Sequence, residues 1–260
     1  MRLAFVGKGG AGKSAIAGTF ARMVARRGTP VLAIDSDPMP GLAFSLGVEV
    51  TDAPIPDEAV EERADGEEGP RYRLRAGLSA AGAVERYAAL GPDGVRFLQF
   101  GKFRTGGQFM RSQLAFRQIL DELPEDPWAM VGDLPGGTRQ PFFGWGSYAR
   151  TVLIVAEPTT KSLMSARRLA RLALVKGGPE TVRAVASKTR SPDDAELVHR
   201  ATGLEVVASI PWDEALADAE RRGRAPIDEA PECPAVRAVE SLVERLGDGR
   251  AGQSRGRSER

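Results

Sequence analysis

Gly7-Lys8-Gly9-Gly10-Ala11-Gly12-Lys13-Ser14 matches the pattern G-x-x-x-x-G-K-[ST], and its flanks give the match its weight. Arg2–Val6 is short, apolar and partly β-branched, as a strand is. Lys13–Arg27 repeats Ile16, Phe20, Met23 and Val24 on one helical face, and Gly28 stops it. Pro30–Ile34 is a second apolar strand, closed by Asp35-Ser36-Asp37-Pro38. Strand, helix, strand in this order is a βαβ unit, which sets two strands parallel. In such a loop the glycines let main-chain N–H groups turn toward an anion without Cβ clashes. The start of the following helix adds its positive end to the same place. Lys13 is then expected to reach the β- and γ-phosphates of a nucleotide, and Ser14 to ligate Mg²⁺.

Working outward, Val95–Phe100, Trp128–Gly132, Thr151–Ala156, Val182–Ser187 and Glu205–Ile210 read as further strands. Thr151–Ala156 is almost wholly apolar, as a strand covered on both faces is. Leu42–Leu46, Gln113–Leu123, Ser162–Leu174 and Pro234–Leu246 read as helices, the last with Val236, Val239, Leu242, Val243 and Leu246 on one stripe. The acidic run Asp57–Glu68 reads as a solvated helix end or loop, with a partner-facing surface as the alternative. Neither an internal repeat nor a dividing linker is visible. The prediction is one α/β domain over residues 1–246, with a mostly parallel central sheet flanked by helices. From Gly247 the chain turns to Gly, Arg and Ser, so 247–260 is expected to be a disordered tail.

Composition narrows the function classes. The 260 residues carry 36 Lys+Arg against 35 Asp+Glu, a net charge of +1, so there is no global field to draw the chain onto nucleic acid or an anionic membrane. The single cysteine, Cys233, excludes an intrachain disulfide and an intrachain Cys-only metal site. It also excludes a cluster shared across a two-fold axis with two thiolates per subunit. One histidine argues against a multi-histidine zinc site. No apolar run reaches the ~18–20 residues of a membrane span, and the N-terminus opens on a strand and loop rather than a signal peptide. A cytoplasmic location is expected.

Carboxylates follow two of the strands. Asp35 and Asp37 lie at the C-terminal end of a parallel strand, where open α/β sheets place ligands; a helix-capping pair is the alternative. Asp133-Leu134-Pro135-Gly136-Gly137 follows the Trp128–Gly132 strand as a D-x-x-G.

Lys8, a second lysine near the start of the loop, makes the chain resemble the deviant Walker A ATPases, with K-G-G-x-G-K-[ST]. That family includes the Min/Par positioning ATPases, nitrogenase iron protein, the arsenite-pump ATPase and accessory ATPases that mature metalloenzymes. The resemblance implies ATP and Mg²⁺ as ligands and a homodimer closed around ATP. By the same resemblance Lys8 reaches across the dimer to the partner's nucleotide. Gly7, Gly9, Gly10, Ala11, Gly12, Lys13 and Ser14 form the phosphate cradle. Asp37, in Asp37-Pro38, orients the attacking water and the Mg²⁺ shell. Asp133 binds Mg²⁺ through water, and the Gly136 N–H senses the γ-phosphate. The catalytic set is thus Lys8, Lys13, Asp37 and Asp133, and the metal set Ser14, Asp37 and Asp133. Ser187-Lys188 stands where the family often has Asn-Lys, and Pro211-Trp212-Asp213 resembles its Ile-Pro-x-Asp. Lys188, Pro211 and Trp212 are therefore candidate base-side residues, although Trp212 equally suits a cover for the sheet end.

AFVGKGGAGKS, AIDSDP, VAEPTTKSLMSARRLARLA and IPWDEALADAERRGRAPID resemble one branch, the nickel-insertion accessory ATPases of carbon monoxide dehydrogenase. One departure is clear: where metal-handling members carry Cys-x-Cys, this chain has Gly106–Ser112, with Gln108 and Met110 in place of the thiolates. Cys233 reads as a small residue before a helix rather than a ligand.

The functional expectation is a slowly hydrolysing switch ATPase that acts as a maturation factor for a client protein. The alternative is a Par/Min-type positioning ATPase on DNA or a partner protein. For DNA the candidates are Arg167, Arg168 and Arg171 on one helix plus the tail arginines, although such a helix also suits a solvated face. Pro234–Leu246 lacks the large aromatics and lysines of a membrane-anchoring helix. A nucleotide-binding scaffold without turnover is disfavoured by the retention of Lys13, Asp37 and Asp133.

Overall fold

β1 (Arg2–Gly7), α1 (Lys13–Arg26) and β2 (Val31–Asp35) form the expected βαβ unit in the computed structural model. The structure describes residues 1–37, 41–49, 55–100, 107–135, 144, 146–175 and 177–255, the side chains of 107–110 and 248–255 excepted. After β2 come α2 (Leu42–Leu46), a 3₁₀ turn at Asp57–Ala59, and a separate antiparallel pair, β3 (Val60–Glu62) and β4 (Tyr72–Leu74). α3 (Ala80–Tyr87), β5 (Ala89–Leu90), β6 (Arg96–Gln99), α4 (Gly107–Glu122) and β7 (Ala129–Asp133) follow. The rest of the chain adds β8 (Thr151–Ala156), α5 (Thr160–Ala173), β9 (Thr181–Thr189), α6 (Asp193–Thr202), β10 (Val206–Pro211), α7 (Glu214–Arg221), α8 (Pro226–Glu229) and α9 (Pro234–Arg255).

The main sheet has the order β10-β9-β8-β1-β7-β2-β6-β5, parallel except for β5 against β6. β1 sits centrally, between β7 and β8. Strand order reverses at β1, with β8–β10 on one side and β7, β2 and β6 on the other, and ligands of open α/β sheets bind at such a reversal. Side chains alternate across the sheet. Leu3 and Phe5 belong to a core with α1 and α9, and Ala4 and Val6 to a second core with α4 and α5. β2 and β7 are buried throughout, which is why their sequences read as continuous apolar runs.

α1 is buried along most of its length, and Phe20 meets Phe5 edge to face at 5.6 Å. Its Arg22 is 2% exposed and ion-paired to Asp93, at 2.7 Å, and to Asp228. A buried guanidinium is tolerable because two carboxylates meet it.

Two expectations need correction. The Asp57–Glu68 run is not simply a solvated helix end or loop. Residues 60–62 pair as β3, with Glu61 on Arg73 at 2.6 Å and Glu62 on Arg71 at 2.7 Å. The neutralising arginines lie outside the run, Arg73 on β4 and Arg71 just before it. The last helix does not stop at Leu246, because α9 continues to Arg255 without apolar anchors. Adding residues to an existing helix is far easier than nucleating one. Among the described residues, no helix is long and apolar enough to cross a membrane.

Candidate nucleotide site

The glycine loop leaves β1 at Gly7, whose strand partner on β8 is Val155. A Cβ on Gly7 would lie 2.2 Å from the Val155 carbonyl oxygen, so only glycine lets the loop depart here. Gly10 and Gly12 both take φ of 84°, the left-handed region that turns the chain back on itself. The Ala11 N–H closes the turn on the Lys8 carbonyl at 3.2 Å, and the Ile16 N–H bonds the Gly12 carbonyl at 3.1 Å. Gly12 caps α1 without a side chain, so the first N–H groups of α1 are left facing the loop. Gly9 and Gly10 are exposed, Ala11 is buried and Lys8 is half-buried.

Lys13 is buried, at 9% exposure, and acts electrostatically on Asp133. The Ser14 hydroxyl donates to Asp133 Oδ2. Asp133 Oδ1 is buried and has no hydrogen-bond partner, while the Asp133 carbonyl accepts from the Ser36 N–H at 3.1 Å. Asp35 and Asp133 are direct partners in the β2–β7 ladder. Asp35 is fully buried and accepts the N–H groups of Asp37 at 2.9 Å and Leu42 at 3.0 Å. Leu42 is the first residue of α2, so the capping reading holds for Asp35. Burial, and then the neighbouring Asp133, push the Asp35 carboxyl up to about 8. Burial raises Asp133 to about 6 against the pull of Lys13 and Ser14. Lys13, Ser14 and Asp133 are thus brought together, and half-buried Asp37 is tied beside them through its N–H. Gly136, Gly137 and Pro38 lie outside the described residues, as do most of the side chains of Gly106–Ser112.

A pocket of about 330 Å³ opens beside Gly12. Ile16, Lys188, Pro211, Trp212, Leu216 and Ala217 are among the residues lining it. Trp212 therefore borders the pocket, and it carries two cations on its ring, Lys188 Nζ at 5.9 Å and the Arg190 guanidinium at 4.8 Å. Lys188 itself takes φ of 56°, uncommon for a residue with a side chain. Its Nζ donates to the Gly10 carbonyl at 2.5 Å and pairs with Glu157 at 3.0 Å.

Glu157 was missed by reading the sequence for motifs. The available signal was positional: Glu157-Pro158 directly follows β8, the strand next to β1, at the reversal of strand order. Gln99 was missed too. It is the ladder partner of Asp35 on β6, 1% exposed, with both amide atoms unpartnered. Cys233 is half-buried just before α9, and burial pushes its thiol up. Among the described residues no group of three or more His, Cys, Asp or Glu side chains is arranged to hold a metal ion.

Residues 3–227 match the family described as the CobQ/CobB/MinD/ParA nucleotide binding domain. The carbon monoxide dehydrogenase accessory protein CooC of Rhodospirillum rubrum is 29% identical, over 95% of this chain and 98% of its own length. An uncharacterized ATP-binding protein of Methanocaldococcus jannaschii is 28% identical, over 86% of this chain and 90% of its own. Among solved structures, the septum site-determining protein MinD of Pyrococcus horikoshii, complexed with Mg-ADP, superposes with a TM-score of 0.68. The superposition has 19% identity and covers 94% of this chain and 95% of that one. With its glycine loop, its clustered Lys13–Ser14–Asp133 group and this match over most of its length, the chain belongs to the CobQ/CobB/MinD/ParA nucleotide-binding family and is a P-loop ATPase.

Proposed function

We propose that this ATPase binds Mg²⁺–ATP between two copies of itself, hydrolyses it slowly, and serves as an accessory factor for a client protein. The observation that carries the reading is the convergence, at one end of the parallel strands, of the glycine loop, the Ser14–Asp133 pair and the pocket beside Gly12. The phosphates lie along Gly7–Ser14, held by main-chain N–H groups and by Lys13. The base enters the pocket lined by Lys188, Pro211 and Trp212.

The residues fit a magnesium ion. Asp133 offers a buried carboxylate oxygen with no partner, and the Ser14 hydroxyl stands on its other oxygen. Ser14 and Asp133, with Asp37 nearby, would hold the ion, which neutralises phosphate charge when bound. Asp37 orients the water whose oxygen bonds the γ-phosphorus as the bond to the β–γ bridging oxygen breaks. Asp35 fixes the Asp37 main chain from below. Lys8 completes the partner's site across the dimer, and the Gly136 N–H reports the γ-phosphate. The accessory role is supported by the full-length likeness to the carbon monoxide dehydrogenase accessory protein. Because the chain has one cysteine, handling of a metal cargo through paired thiolates is not proposed.

The test is the Asp37→Ala variant with saturating ATP, followed by light scattering. A stable ATP-bound dimer that retains a client on affinity capture supports the reading. A monomer under saturating ATP would count against both the dimer and the role of Lys8.

A further inference from the structure

Half of the large, well-exposed hydrophobic side chains among the described residues cluster at one place. Met164 is 69% exposed, Leu174 72% and Val175 51%, on α5 or just past its end. Met164, Arg167 and Arg171 recur at helical spacing along one outward stripe of α5, and Leu174 follows in the same phase. The opposite face, with Ala166, Leu169, Ala170 and Ala173, is buried against the sheet.

Among the described residues, no carboxylate lies within 4 Å of Arg167, Arg168 or Arg171. Arg150, Arg183, Arg221, Arg237 and Arg245 have one, but among the described residues the exposed Arg75, Arg86, Arg190 and Arg224 also lack one, so what sets α5 apart is that Arg167 and Arg171 lie between the exposed Met164 and Leu174 on one stripe. The stripe borders a groove of about 510 Å³ between α5 and α6, lined by Leu163, Met164, Arg167, Arg171 and Arg200 among others. α5 also starts from the segment that braces the phosphate loop, since Ser162 Oγ accepts the N–H of Glu157 at 3.0 Å.

An arginine-rich helix alone is an ordinary solvated face. Here, apolar side chains flank unneutralised arginines on one stripe, and a groove runs beside it. Phosphate contacts to DNA reward the cations but leave Met164 and Leu174 unused. A membrane surface needs a continuous apolar face, not two apolar positions separated by two arginines. An acidic amphipathic helix matches both components, with carboxylates over Arg167 and Arg171 and apolar residues over Met164, Leu174 and the groove.

We propose that the α5–α6 face docks an acidic amphipathic helix of the client protein. This rests on the accessory reading above and adds the chemistry of the client's contact.

The probe is a fluorescein-labelled helical peptide with Glu at i and i+4 and Leu at i−3 and i+7, the spacing of Arg167, Arg171, Met164 and Leu174, titrated with the full chain and followed by anisotropy. Saturable binding is expected, weakening as salt rises. The double variant Arg167→Glu/Arg171→Glu should weaken it at least about tenfold, since it places like charges together. Met164→Ser, which keeps every charge, should weaken it about fivefold through lost apolar cover. Both variants should keep the parent's ATP affinity and melting temperature. Loss of ATP binding in the unmodified chain would strike the nucleotide reading instead, so the two failures are distinguishable. The docking proposal is overturned by absence of saturable peptide binding or by an unchanged affinity in either variant. It is equally overturned if a DNA duplex or phosphatidylglycerol vesicles bind more tightly than the peptide through the same arginines.

Discussion

Three glycines of one loop should respond to alanine in three different ways. At Gly7 the new Cβ would stand 2.2 Å from the Val155 carbonyl oxygen and 3.2 Å from its carbon, both main-chain atoms. A carbon normally approaches such an oxygen to about 3.3 Å, so β1 and β8 must part locally by about 1 Å. Overpacking of this kind costs roughly 1–3 kcal/mol. For a chain this size that lowers the melting temperature by roughly 2–12 °C. At Gly10 there is open space within 4 Å, but φ is 84°. A left-handed L-residue costs roughly 1–2 kcal/mol. That corresponds to a loss of roughly 2–8 °C, part of which Asn, tolerant of this conformation, should recover. At Gly9 neither obstacle exists. Alanine there removes freedom from the unfolded chain and should leave the melting temperature unchanged or raise it by up to about 1 kcal/mol equivalent. The assay is thermal unfolding of the nucleotide-free variants, before any effect on phosphate approach enters. If Gly9→Ala melts as low as Gly7→Ala, or Gly7→Ala melts like the parent, the steric reasoning about this loop is wrong.

Other perturbations probe the chemistry around it. Lys13→Ala should abolish ATP binding measured by calorimetry; normal affinity would remove the phosphate-loop assignment. Glu157→Gln should leave Lys188 without its carboxylate, and the half-exposed pair is worth up to about 1 kcal/mol, so ATP affinity should drop up to about fivefold. Unchanged affinity there would mean that Lys188 braces Gly10 unaided. The Asp35 carboxyl is raised to about 8, so the folded chain holds its proton more tightly than the unfolded chain does. Stability of the nucleotide-free protein should then fall as pH rises from 6 to 8, a window that lies above the Asp133 value of about 6. Asp35→Asn should flatten that slope in urea titrations at several pH values, even though losing one acceptor for Asp37 or Leu42 lowers stability overall; an undiminished slope would place the titration elsewhere.

The phosphate loop, the βαβ unit and the carboxylates at the ends of β2 and β7 were legible because each is local. Spacing and periodicity within a dozen residues carry them. What escaped depends on partners far away in the chain. Three residues of the acidic run, 60–62, pair as a strand, where Arg71 and Arg73 return to neutralise Glu62 and Glu61 from β4 and the residue before it. Glu157 gained its place from Lys188 on the neighbouring strand, and no local pattern links the two. Trp212 was readable as base-side or as sheet cover, and it took the pocket beside Gly12 to set it next to the loop. The end of α9 was misjudged because apolar periodicity marks where a helix is anchored, not where its hydrogen bonds end.

The central position of β1 also bears on how the protein is made. β1 is synthesised well before both of its sheet neighbours, β7, beginning at Ala129, and β8, beginning at Thr151. Until then an apolar strand waits with both hydrogen-bonding edges bare, the condition under which strands pair with the wrong chain. Arg22 waits longer, since Asp228 follows it by 206 residues. The nucleotide loop is therefore made before the strands that flank it and assembled late. Until β7 and β8 are made the loop has no flanking strands to hold its shape, so ATP meets a formed site only late in synthesis.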